Sequence, residues 1–243
     1  MKELNRENLI PKYFQIEEDI VRKIESGELK VHDQVFSEKE LCVEYNVSKI
    51  TSRKALQDLT YRGILYRIQG KGTFVSAPKI ETGSRFLTSF SEDMEKRGFT
   101  AKSLEISRSL IIPKKKILKD LYLRDDDKTI VIKRLRFAND EPMGIQTCYL
   151  PYKYFHFIYD NNIKFESLYE YIEKELRIKI KNAKESYQAI NVGKNDAKIL
   201  GLNKGDPALF VYRNTFDESG KPIECVESIM RSDRYIVVVN LNR

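Results

Sequence analysis

Residues Ser37 to Ser76 constrain the fold more than any other stretch of this chain. They read SEKELCVEYNVSKITSRKALQDLTYRGILYRIQGKGTFVS. Ser37 and Glu40 have the spacing of a capping box, in which each side chain satisfies an orphan backbone donor at a helix start. Ser48 is a second good N-cap. Between the two helical patterns lies only Tyr45-Asn46-Val47-Ser48, and Asn46 tolerates the left-handed conformation of a tight turn. Gly63 ends the second pattern. Ile64 to Ile68 and Thr73 to Val75 are strand-like, rich in β-branched and aromatic residues, with Gly70-Lys71-Gly72 as the turn between them. That order predicts a helix-turn-helix followed by a two-stranded wing, a shape that seats one helix in a duplex groove.

A preceding helix is expected from Pro11 to about Ser26. Pro suits the first helical turn. Tyr13, Ile16, Ile20 and Ile24 recur on one face, and Gly27 is a natural stop. In the second helix Leu41 and Cys42 should point inward. In the third, Ala55, Leu56 and Leu59, helped by Ile50, should face the core. Lys49, Ser52 and Arg53 then fall on the outward face near the helix start, where a recognition helix presents side chains to bases and phosphates. Thr51 can donate to a phosphate. Two glycines would let the wing backbone approach a sugar-phosphate surface, with Lys71 carrying charge to its tip.

The charge distribution supports that face more than the total does. The net charge is +7, yet residues 1–78 hold 13 basic against 12 acidic side chains. Residues 48–76 hold six basic side chains (Lys49, Arg53, Lys54, Arg62, Arg67, Lys71) against Asp58 alone. A local basic face is the better footprint of a nucleic-acid partner.

The segment from ESGELK through SEKEL and VSKITSRKALQDL to GILYRIQGKGTFV resembles the N-terminal domain of GntR-type bacterial transcription regulators. The resemblance covers about residues 11–76. It implies double-stranded DNA as partner, with contacts from Ser37, Lys39, Ser48, Lys49, Thr51, Ser52, Arg53 and the Gly70-Lys71-Gly72 wing. The chain departs from that pattern in three places. Val31-His32-Asp33 lacks the usual Pro-Gly, Phe36 stands where Pro usually precedes Ser37, and Lys49 replaces a common Arg. Lysine keeps the charge but loses the bidentate fork.

Residues 77–84 (APKIETGS) read as a short polar join. Beyond it, strands are expected at Leu104–Ile112, Thr129–Phe137, Met143–Leu150, Ile180–Val192, Ala208–Phe216, Ile223–Arg231 and Tyr235–Leu241. Helices are expected at Ser91–Arg97, Lys114–Leu121, Phe165–Glu175 and Asp196–Leu200. Hairpin signals outnumber crossovers, which predicts an α+β domain on an antiparallel sheet. Four polar clusters could line a small-molecule pocket. Ser89-Phe90-Ser91-Glu92 opens a helix, where free N–H groups suit an anion or need only a cap. Arg134 and Arg136 alternate on one strand face and suit an oxyanion, or a solvated surface. Ser167 and Tyr169 begin a helix. Glu224 and Glu227, with Arg231, Asp233, Arg234 and Tyr235, flank the last two strands.

In their order these segments resemble the UTRA effector-binding domain of the HutC-like branch, a fold similar to chorismate lyase, over about residues 85–243. The resemblance implies that Ser89, Phe90, Ser91, Arg134, Arg136, Gln146, Ser167, Tyr169, Glu224 and Tyr235 surround an effector. It implies a sugar phosphate or another small acidic metabolite. Gln146 stands where many relatives carry Glu; it can donate as well as accept. The expected organisation is a DNA-binding domain at 9–76, a join at 77–84 and an effector and dimerisation domain at 85–243. Two copies would grip a palindrome, with effector binding shifting the arrangement of the heads. The rival class is an enzyme built on the same second domain.

Three distant cysteines (Cys42, Cys148, Cys225) and two distant histidines (His32, His156) lack disulfide or metal spacing. No metal, cofactor or catalytic residue is expected. No stretch nears the roughly 20 apolar residues of a membrane span, and the start lacks a secretory core, so a cytosolic protein is expected.

Overall fold

The computed structural model describes residues 10–68, 71–77, 79–82 and 86–239. The chain divides into two compact units, residues 1–79 and 80–243.

In the first unit, helix α1 spans Lys12–Glu25, α2 Glu38–Tyr45 and α3 Lys49–Tyr61. The capping box at Ser37 and Glu40 is present, and Ser48 Oγ accepts from the Thr51 amide. Asn46 takes the left-handed conformation (φ 47°), closing the turn between α2 and α3. Strands β1 (Leu65–Ile68) and β2 (Gly72–Val75) pair antiparallel, Leu65 opposite Val75. Gly72 sits at φ +134°, a backbone few side chains adopt, and Gln34 packs where a Cβ would stand. Ile16, Ile20, Leu41, Tyr45, Ala55, Leu56, Leu59, Leu65 and Val75 form the core.

Two expectations for α3 fail together. Ser52 is fully buried, and Ile50 is 83% exposed. The reason is helical phase: Ser52, Ala55, Leu56 and Leu59 follow i, i+3, i+4, i+7 spacing and share one stripe. Ile50 lies on the opposite side. Ser52 Oγ donates to the Lys49 carbonyl (3.1 Å) and meets Cys42 Sγ at 3.3 Å. Cys42 is only half-buried.

In the second unit, β3 (Ile80–Thr82) pairs parallel with β10 (Tyr235–Val237). The expected join at 77–84 is therefore corrected: its middle is a strand, because Ile80 is apolar and packs with Met94, Ala138, Met143 and Met230. The main sheet holds six strands in the order β4-β5-β6-β9-β8-β7. They are β4 Ala101–Ile111, β5 Thr129–Ala138, β6 Glu141–Pro151, β7 Ile180–Asn191, β8 Pro207–Asp217 and β9 Pro222–Arg231, all paired antiparallel. Helices α4 (Phe90–Lys96), α5 (Lys115–Asp120), α6 (Tyr152–Asp160), α7 (Leu168–Lys174) and α8 (Lys194–Leu200) complete it. Helices α6 and α7 pack on Ile130, Ile132, Cys148 and Val226. Helix α8 packs with Leu135 and Ile145, and α5 with Cys225. Because strand side chains alternate, Ile130 and Ile132 of β5 meet α6 and α7, and Leu135 meets α8. Among the described residues, no helix is long and apolar enough to cross a membrane.

Candidate nucleic-acid interface and effector pocket

The first unit presents Ser37, Lys39, Ser48, Lys49, Arg53 and Lys71 exposed, with Thr51 partly exposed. Ser48 Oγ lies 2.8 Å from Thr51 Oγ1, so the cap and the candidate phosphate donor share one hydroxyl pair. Ser52 leaves the candidate set, since its hydroxyl is inside. Gly70 lies outside the described residues. Gln34 Nε2 donates to the Lys71 carbonyl at 3.2 Å and so holds the wing at its tip. Sequence reading missed Glu38: it accepts from Arg53 and lies 3.7 Å from Arg67. Its helical position was legible, but the wing cation beside it depends on the fold.

The second unit lays its candidate residues across one face of the sheet in register. Arg134 stands opposite Gln146, Gln146 opposite Ser228, and Ser228 opposite Val211. One row along, Cys148, Val226, Arg213 and Glu185 face one another in turn. Thr215 and Glu224 form a third row. These rows bring Ser89, Phe90, Arg134, Arg136, Gln146, Tyr169, Arg213 and Glu224 around an inner cavity of about 20 Å³. It shares Ser89, Phe90, Gln146, Arg213 and Val226 with an outer chamber of about 340 Å³, which Tyr235, Asp93, Lys181, Glu185 and Tyr187 also line.

Ser91 and Ser167 do not line either space. Ser167 caps α7 by accepting from the Glu170 amide. Ser89 likewise caps α4, accepting from the Glu92 amide at 3.2 Å. Its hydroxyl hydrogen is left to donate into the chamber. The fourth cluster divides by strand parity. Glu224 faces the cavity, whereas Glu227 accepts from Tyr149 on the other face. Arg231 pairs with Asp233 and Glu141, and Arg234 with Glu141.

The inner cavity is cationic. Gln146 Oε1 accepts from Arg134 Nη2 (3.1 Å), Arg136 Nε (3.1 Å) and Arg136 Nη2 (2.8 Å). Arg136 also donates to Ser103. Phe165 lies under the Arg134 guanidinium and Phe90 under that of Arg136, at 5.4 and 5.2 Å. Arg134 is only 3% exposed. Its Nε and Nη1 have no hydrogen-bond partner among the described residues. Burial pushes both arginines below their ordinary value, and Arg136 further because Arg134 is beside it. A guanidinium keeps its proton in proteins, so the downward shift expresses an unmet cost of burying charge.

Glu224 is the opposing charge. It accepts from Cys148 Sγ (3.0 Å) and Thr215 Oγ1 (3.3 Å). Burial, reinforced by Glu224, pushes the Cys148 thiol well above its ordinary value, so it is a neutral donor. Arg213, missed in the sequence, donates to Glu185 (2.5 Å), the Thr88 carbonyl (3.0 Å) and Tyr169 Oη (3.3 Å). Burial opposes its charge, but Tyr169 and Glu185 outweigh that and hold its pKa up. Burial and then Glu224 raise Tyr169, which stays a phenol. Arg213 and Glu185 are direct cross-strand partners, a fact invisible until register is known. Around the inner cavity Arg134, Arg136 and Arg213 face Glu224, so it carries net positive charge.

A winged helix-turn-helix joined to a domain with a positively charged inner cavity beside a larger chamber defines a DNA-binding transcriptional regulator with a small-molecule-binding domain. A family model described as bacterial regulatory proteins, gntR family, matches residues 12–75, and a UTRA domain model matches residues 96–236. The chain is 35% identical to the HTH-type transcriptional repressor NagR of Bacillus subtilis, over 99% of this chain and 98% of that one. It is 27% identical to the mannosyl-D-glycerate transport/metabolism system repressor MngR of Escherichia coli K12, with 93% of each covered. In fold it is similar to the crystal structure of PhnF from Mycobacterium smegmatis (TM-score 0.65, 20% identity, 93% of this chain and 99% of that chain). The chain belongs to the GntR family of bacterial transcription regulators, in the HutC-like branch that carries a UTRA domain.

Proposed function

We propose that this protein is a repressor whose grip on DNA is set by a small phosphorylated sugar or related acidic metabolite held in the second unit. The observation that carries the effector class is Arg134: a buried guanidinium that lines a net-positive cavity and has two donor atoms without a partner among the described residues. A phosphate or carboxylate oxygen would satisfy those donors with charge-assisted bonds. Gln146 Oε1 already occupies the notch between Arg134 and Arg136, like one oxygen of such an anion. The inner cavity has room for about one water, so an anion enters as Gln146 turns aside. The outer chamber, with Asp93, Lys181 and Tyr235, then receives the hydroxylated body. Relatives named as repressors of sugar-related systems support this reading.

The second unit binds its ligand without turning it over. Cys148 is a buried thiol donating to Glu224, not a thiolate, and so is a poor nucleophile. In the first unit Lys39, Lys49, Thr51, Arg53 and Lys71 contact the duplex. One head meets few phosphates and binds weakly, so two copies associate through their second units and address a palindromic operator. The protein works in the cytosol, where its DNA is.

Calorimetric titration with hexose 6-phosphates and the matching free hexoses tests the effector class. A phosphorylated member should bind at least 100-fold more tightly than its free sugar, and adding it should change the affinity of the full chain for promoter DNA upstream of its own gene. Equal affinity for sugar and sugar phosphate would overturn the anion reading.

A further inference from the structure

A carboxylate, Glu38, stands among the cations of the recognition surface, and its geometry is specific. Glu38 occupies the first position of α2 and is largely covered, its side chain 16% exposed. Both its oxygens accept from Arg53: Nε reaches Oε1 at 3.2 Å and Oε2 at 3.3 Å, and Nη2 reaches Oε2 at 3.2 Å. Arg67, on wing strand β1, places Nη2 3.7 Å from Oε1. One carboxylate therefore ties the recognition helix to the wing. Arg53's hydrogen bonds hold the Glu38 carboxyl below its ordinary value.

Glu38 is not needed to start α2, because the Ser37–Glu40 capping box does that. Its other effect is on Arg53. Using Nε and one Nη2 hydrogen on Glu38 leaves the Nη1–Nη2 edge of the guanidinium, and that edge matches guanine O6 and N7. The other cations of α3 cannot form such a fork: Lys49 and Lys54 are ammonium groups, and Lys54 is paired with Asp58 at 2.9 Å.

We propose that Glu38 is a positioning residue for sequence readout: it holds Arg53 side-on so that the free guanidinium edge reads a guanine, and it keeps Arg67 aligned with that reader. This rests on the DNA-binding role of the first unit. Without Glu38 the two arginines become freely moving charges, which favour phosphates of any sequence. Glu38 thus lowers total charge attraction and raises discrimination.

The test compares the full chain with Glu38→Gln, Arg53→Lys and the double variant. The probes are a duplex selected by the unmodified chain from a randomised library, its guanine-substituted derivatives and a random-sequence duplex, each across a salt series. Glu38→Gln should weaken the selected duplex about 10-fold or more. It should bind the random duplex as well as or better than the parent, with a salt slope steeper by up to about one. Arg53→Lys should lose the same guanine preference, and the double variant should lose little beyond either single change. Equal weakening on both duplexes would overturn the proposal and mark Glu38 as structural. Additive losses in the double variant would also overturn it. Retained binding to the random duplex separates this outcome from a failure of DNA binding itself, and circular dichroism melts confirm that each variant is folded.

Discussion

At the scale of single residues, the two units treat charge in opposite ways. On the head, cations remain in water and are ready for phosphates. In the second unit, Arg134 and Arg136 are carried into the interior without full compensation. Arg134→Met should leave the ligand-free protein as stable or more so, because a buried, under-partnered charge is replaced by an apolar chain of similar length. It should also abolish the thermal stabilisation given by a sugar phosphate; differential scanning fluorimetry with and without ligand reads both. Ser52 offers a sharp contrast. Its hydroxyl is inside, so Ser52→Ala should cost about 1 kcal/mol of stability and leave DNA affinity within about twofold. Lys49→Ala should do the reverse: little change in denaturant midpoint, and a salt slope shallower by about 0.9 in titrations of labelled duplex. Alternation puts Arg134 and Arg136 on one strand face, the resemblance adds Gln146, Tyr169 and Glu224, and all five line the inner cavity. Arg213 and Glu185 were not legible in the sequence, since their meeting depends on which strand lies beside which.

At the scale of elements, local signals were clear where capping chemistry is strong. Ser37, Ser48 and Ser89 each begin a helix by accepting an amide proton. Removing the cap of the recognition helix by Ser48→Ala should cost about 1 kcal/mol, measured by urea denaturation. Helix α6 escaped notice because YKYFHFIYD is aromatic and lacks a capping side chain; Phe155 and Ile158 become helical by burial against Ile130 and Leu150. Strand β3 escaped because three residues in a polar join have no periodicity to read, and only pairing with β10 defines them. Gly144 is a case where the sheet requires the residue. A Cβ there would stand 2.9 Å from the Ile229 carbonyl and collide with Met230. Gly144→Ala should therefore destabilise the second unit by roughly 1–3 kcal/mol, seen as a lowered melting temperature of the full chain.

At the scale of the whole molecule, affinity for DNA follows from the number of phosphates neutralised. With Lys39, Lys49 and Lys71 free for phosphates on each head, two heads would engage about six phosphates, giving a slope of log affinity on log salt near −5. Fluorescence anisotropy between about 50 and 200 mM salt checks this, and a slope near −3 would mean a single head at work. Composition, capping residues and the buried stripes of the helices determined the head, because a helix-turn-helix is built from contacts close in sequence. The same local rules determined the strands of the main sheet, though not β3, and the face that Arg134 and Arg136 share. The pocket was decided by tertiary structure: strands far apart in sequence are placed side by side in the order β4-β5-β6-β9-β8-β7, and only that order sets three arginines and two carboxylates within reach of one another. Strand alternation fixes a side chain's direction, but its neighbours, and hence its chemistry, are fixed by pairing across the sheet.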